Sequence, residues 1–157
     1  MEEVMTLSLS EVNKATDTAQ ARSEVLIDGR LTGITIPGKV LEAAIKVDAR
    51  RYLLFVTDDV IFEEMLTILL LDLSQGLVEE LTIRGAYTSG HFEDLKVSPR
   101  SASFSFIGDT TWTVKVSKSP TLKLPFSDPR GVSRPAGLRK YIDISANPAP
   151  ARADGSR

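Results

Sequence analysis

Polar and apolar residues alternate with a period of two over several stretches of this chain. Ala102, Phe104 and Phe106 are separated by Ser103 and Ser105. Trp112, Val114 and Val116 are separated by Thr113 and Lys115, and Leu81 and Ile83 lie among Glu80, Thr82 and Arg84. Successive side chains of a strand point to opposite faces, so this alternation predicts strands with one face in a core and one in water. Residues 52–57 are apolar at both parities, the pattern of a central strand covered on both sides. Weaker strand patterns run over 41–47, 91–97 and 141–144. Gly76, Gly85, Gly90, Pro99 and Gly108-Asp109 punctuate the series. The pattern predicts a mainly β fold with few or short helices, a single antiparallel β-sandwich or partly open barrel of about seven to nine strands.

Parity arithmetic predicts two hairpins. If Phe104 faces Trp112 and Ala102 faces Val114, the apolar residues of both strands share a face. Ile107-Gly108-Asp109 then closes the turn, with Asp109 left-handed. The same arithmetic joins 66–73 to 77–84 through Ser74-Gln75-Gly76, with Gly76 left-handed. Leu69, Leu71 and Leu73 then face the core opposite Leu81, Glu79 and Leu77. Leu66, Ile68 and Leu70 share the other face with Arg84, Thr82 and Glu80. Polar groups on that face need water or a partner, so the three residues are expected to form an exposed apolar stripe. Phe62, Met65, Leu66, Leu69, Leu70 and Leu73 also fit one side of a helix capped by Asp58 or Asp59. The neighbouring strands and the suitability of Gly76 for the turn favour the strand.

Composition divides the chain into three zones. Residues 1–24 are polar, with Val4, Leu7, Leu9 and Val12 scattered, and read as an N-terminal arm. Residues 25–146 form the β domain, including a Pro- and Arg-rich crossing segment from 126. Residues 147–157 are small, polar and Pro-containing, and read as a disordered tail. Residues 126–157 hold six basic side chains against three acidic ones, and four of the eight prolines. The crossing segment is therefore expected to lie over a more acidic domain.

Composition also narrows the chemistry. The chain of 157 residues has no cysteine and one histidine. It therefore holds no disulfide, thiol nucleophile, Cys-based metal site or site built from two of its own imidazoles. A net charge of −2 supplies no field for a nucleic-acid backbone. The acidic Met1-Glu2-Glu3 start and the shortness of the apolar runs argue against a secretory signal or a membrane span, which leaves the cytoplasm as the default compartment.

Three clusters could carry chemistry. Asp58, Asp59, Glu63 and Glu64 offer oxygen ligands for a hard cation, and with it a metal-assisted hydrolase. They lack EF-hand spacing, and a solvated loop is the plainer reading. Ser89 and His91 sit two apart, with Asp94 beyond. They lack the G-x-S-x-G elbow, and a turn at Ser89-Gly90 explains them more simply. Arg134 and Arg139 lie in a Gly- and Arg-containing run without phosphate-loop spacing. No catalytic residue, metal or cofactor is assigned. The preferred expectation is a non-catalytic interaction module that binds a protein partner or a second copy of itself. Its contact residues would be Leu66, Ile68, Leu70, Arg134 and Arg139. The alternative is a small-ligand domain with an apolar cavity near Phe104, Phe106 and Trp112.

Overall fold

A computed structural model of the chain describes residues 1–14, 16, 19–58, 65–85 and 90–152. The strands follow in the order β1 (Glu2–Glu3), β2 (Leu7–Asn13), β3 (Arg22–Ile27), β4 (Arg30–Pro37), β5 (Val40–Lys46), β6 (Arg51–Thr57), β7 (Met65–Asp72), β8 (Gly76–Arg84), β9 (Glu93–Val97), β10 (Ala102–Ser105), β11 (Thr111–Leu122), β12 (Val132–Ser133) and β13 (Arg139–Asn147). Every pairing is antiparallel. Among the described residues none is helical, and so no helix is long and apolar enough to cross a membrane.

The strands build three sheets: β1-β5-β6-β7-β8-β12, β13-β11-β10-β9 and β2-β3-β4. The first lies between the other two. One of its faces carries Leu53, Phe55, Ile68, Leu70, Leu81 and Ile83, which pack on Phe104, Trp112, Val114 and Ile142 of the four-stranded sheet. The opposite face carries Leu54, Val56, Leu69 and Leu71, which pack on Leu7, Val25 and Ile36 of the three-stranded sheet. The double cover follows from β6 and β7, which are apolar at both parities and would expose one row if only one sheet covered them. The mainly β, sandwich-like fold is as expected. It has a third layer and more strands than expected, and among the described residues no sheet closes into a barrel.

β10 and β11 pair as parity predicts, Phe104 with Trp112 and Ala102 with Val114. The left-handed turn residue is Gly108 (φ 61) rather than Asp109. Residues 65–72 are a strand, as preferred, but the β7–β8 register differs from expectation. The turn falls at Leu73-Ser74-Gln75, one residue early, and Val78 then bulges out of β8. Leu66 therefore opposes Ile83, Ile68 opposes Leu81 and Leu70 opposes Glu79. A one-residue slip exchanges the faces of a strand. Both faces of β7 are covered in any case, so Leu66, Ile68 and Leu70 are fully buried, as are Leu69 and Leu71, and the expected exposed stripe does not exist.

Both terminal regions join the fold over their described residues. The polar arm contributes β2, which pairs with β3 and buries Leu7. β3 and β4 are joined by Asp28-Gly29, both at positive φ (51 and 76), the conformation that suits a two-residue hairpin. The start of the expected tail is docked: Asn147 pairs with Thr111, Thr110 Oγ1 donates to the Pro148 carbonyl, and Arg130 Nη1 donates to that of Pro150. Residues 153–157 lie outside the described residues.

The crossing segment closes the edge of the central sheet. β12 pairs with β8, and the Arg84 amide donates to the Gly131 carbonyl at 2.9 Å. Gly131 has φ 91, and a β-carbon there would stand 2.5 Å from the Arg84 carbonyl oxygen, so only glycine fits.

Candidate functional site

Of the acidic and Ser/His clusters, the structure describes only Asp58, His91 and Asp94. Asp59, Glu63, Glu64 and Ser89 lie outside the described residues. Asp58 accepts a hydrogen bond from Gln20 Nε2, and its Oδ1 is buried without a partner among the described residues. Burial raises its carboxyl, against the pull of Gln20. His91 is exposed, and its backbone N–H donates to the Phe106 carbonyl. Among the described residues no three acidic or histidine side chains gather as a metal site. Beside Trp112, the rings of Phe55, Phe92 and Phe104 pack against one another in tilted and edge-on contacts, with centroids 5.0–5.2 Å apart.

Arg134 instead organises the edge between the central and four-stranded sheets. Its side chain is only 4% exposed. Nε and Nη2 grip Asp128 at 2.8 and 3.0 Å, Nη2 also donates to the Ile142 carbonyl at 2.8 Å, and Nη1 lies 3.7 Å from Glu79. The Glu79 carboxylate accepts two successive amides of β13, from Tyr141 at 3.0 Å and Ile142 at 2.7 Å. Two adjacent N–H groups can converge on one carboxylate because the ladder is broken there. Val116 opposes Ile142 and Thr121 opposes Lys140, so four residues of β11 span a single residue of β13, Tyr141. Burial pushes the Glu79 carboxyl above its ordinary value of 4.5. The Ile142 and Tyr141 amides, Arg134 and Lys140 pull it the other way. The expected contact residue Arg134 is thus a clasp inside the chain, whereas Arg139 is exposed on β13.

Tyr141 stands between two clefts. The first, about 450 Å³, runs from Leu77–Glu80 on β8 to Pro135, Ala136 and Gly137 of the crossing segment, with Lys123 and Arg139 at its rim. The second, about 700 Å³, lies on the other side, towards the β5–β6 and β9–β10 turns. Arg51 links its walls: its guanidinium donates to the Ser117 carbonyl at 2.8 Å and sits 5.9 Å from the centre of the Tyr141 ring.

The end of β11 and the residues after it carry an exposed apolar row. Leu122, Leu124 and Phe126 recur at every second residue, and the Lys123 amide bonds the Leu138 carbonyl on the returning chain. Leu122, Leu124 and Leu138 are each more than half exposed, and Phe126 is fully exposed. Phe126 also sits at φ 59, in the left-handed region. The Leu/Phe alternation just after the Trp112 strand was the available sequence signal for this feature.

No family model, no curated protein and no solved structure matches the chain.

Proposed function

We propose that the protein is a non-catalytic interaction module that associates with a second copy of itself through the ribbon tip formed by Leu122, Leu124, Phe126 and Leu138. The observation that carries this reading is Phe126. It is a large aromatic side chain, fully exposed, on a backbone conformation that disfavours bulky residues by roughly 1–2 kcal/mol. Strain of this kind persists where a functional contact uses it. Three exposed leucines around it make a small apolar surface, the kind that marks a contact site. A second copy is the simplest cover, because a two-fold axis lets one apolar patch serve both sides.

Sedimentation velocity at about 10–100 μM tests the proposal, a range in which a micromolar dimer is well populated. The chain should sediment as a dimer. Phe126→Lys and Leu124→Lys should sediment as monomers with unchanged melting temperature, since both side chains already lie in water. Leu31→Lys, on an exposed position of β4 in the three-stranded sheet, should leave the dimer intact. A monomeric parent chain, or equal dissociation by Leu31→Lys, would overturn the reading.

A further inference from the structure

The chain carries a net charge of −2. Its larger cleft nevertheless gathers Arg51, Arg100, Lys115, Lys118 and Lys140 against only Asp48 and Asp143. Both acids are already engaged. Asp48 holds Arg51 Nε at 2.6 Å, and Asp143 holds Lys140 Nζ at 3.1 Å. Burial raises the Asp48 carboxyl, but the Arg51 side chain and the amides of Arg50 and Arg51 outweigh it and hold the group below its usual value. Asp143 lies opposite Lys115 in the ladder, yet its carboxylate rests on Lys140. The side chains of Arg100, Lys115 and Lys118 are left without a hydrogen-bond or ion-pair partner among the described residues.

Three unpaired cations around one concavity repel each other and raise its affinity for an anion. The cleft is not a charged surface alone. Val47, Pro99, Val116 and Tyr141 line it with apolar and aromatic groups. Its volume of about 700 Å³ lies within the range of small-molecule sites. A guanidinium fork with two ammonium groups suits a phosphate group, which accepts several charge-assisted hydrogen bonds. The apolar lining suits an organic body attached to it. A nucleic-acid polymer would call for an extended basic track, whereas these cations converge from separate chain segments on a single cleft.

We propose that this cleft binds a small organic phosphate, with the phosphate on Arg100, Lys115 and Lys118 and the organic part against Val116 and Tyr141. The test uses the full chain at about 0.15 M ionic strength, where unspecific surface attraction is largely screened. The probes are adenosine monophosphate, fructose 1,6-bisphosphate and inorganic pyrophosphate, followed by calorimetry and by amide chemical shifts. At least one organic phosphate should bind with Kd of about 1 mM or tighter. It should shift the amides of Arg100, Lys115, Lys118 and Tyr141. The exposed double variant Lys115→Gln/Lys118→Gln should keep its melting temperature and weaken binding by about tenfold or more, the loss expected for hydrogen bonds to charged groups. Lys96→Gln, on β9 outside the cleft, should change nothing. The proposal is overturned if no probe shifts those amides at about 10 mM. It is equally overturned if the double variant binds unchanged, or if pyrophosphate binds as tightly as either organic phosphate, which would reduce the cleft to a patch of charge.

Discussion

The central sheet meets the four-stranded sheet in two ways. In the middle, Leu53, Phe55, Ile68 and Leu70 press on Phe104, Trp112 and Val114 in an apolar layer. At the edge, Glu79 and Arg134 cross between the sheets through hydrogen bonds and ion pairs. The first join removes apolar area from water and has no directional requirement. The second holds particular atoms in place: the Tyr141 and Ile142 amides on one carboxylate, and Asp128 and the Ile142 carbonyl on one guanidinium. Stability should therefore be concentrated in the middle. The shape of the two clefts beside Tyr141 should be set at the edge.

The largest effect should come from the middle. Phe55 is fully buried between Phe92 and Phe104. Phe55→Ala should cost about 3–5 kcal/mol in urea unfolding, the usual price of deleting a core aromatic. It should leave the Tyr141 amide resonance where it is. A loss under about 1 kcal/mol would mean that the middle is not the stabilising join.

Arg134→Ala should cost less, about 2–3 kcal/mol. Removing one partner of a buried pair leaves the other charges uncompensated, but Asp128, 21% exposed, can regain water. Unlike Phe55→Ala, it should move the Tyr141 and Ile142 amides, because Glu79 loses the cation that faces it. Arg134→Lys should restore little, since one ammonium cannot bridge both Asp128 oxygens and the Ile142 carbonyl as the fork does. Full recovery by lysine would show that the clasp needs only charge, and the contrast with the middle would shrink to one of polarity.

Most of the middle was legible in the sequence and most of the edge was not. The β10–β11 register could be read because Phe104 and Trp112 sit in clean alternations and the ladder between them is unbroken. β7 carries apolar residues at both parities, so its period holds no information about which row faces which sheet. The bulge at Val78 then moves the register without any local turn residue to announce it. β2 and the β3–β4 hairpin did leave signals, in Leu7-Ser8-Leu9-Ser10 and in the Asp28-Gly29 dipeptide, but the polar composition around them obscured both. Arg134 stood out by composition. Its role did not, because Glu79 lies far away in the chain and only the fold brings the two together. The cationic cleft draws on the segments around Arg51, Arg100, Lys115 and Lys140, so no basic run marks it and the net charge of the chain masks it.

The smallest effect concerns the protonation of Glu79, where the two kinds of join compete within a single group. Burial between the sheets raises its carboxyl, while the two amides, Arg134 and Lys140 oppose that rise without cancelling it. A raised value in the folded chain means that folding favours the protonated form. Its contribution to stability is fully present below the ordinary value of 4.5 and is lost as pH rises through the folded value. Urea midpoints of the parent chain and of Glu79→Gln, which cannot titrate, should therefore diverge in one direction. The parent's standing relative to the variant should be best at acid pH and should decline towards neutrality. In an Arg134→Ala background the decline should steepen and shift to higher pH, because one of the groups opposing burial is gone. A parent chain that instead gains on the variant as pH rises would show that the amides and Arg134 outweigh burial. Glu79 would then belong wholly to the directional join, held as an anion by the same contacts that shape the floor of the clefts.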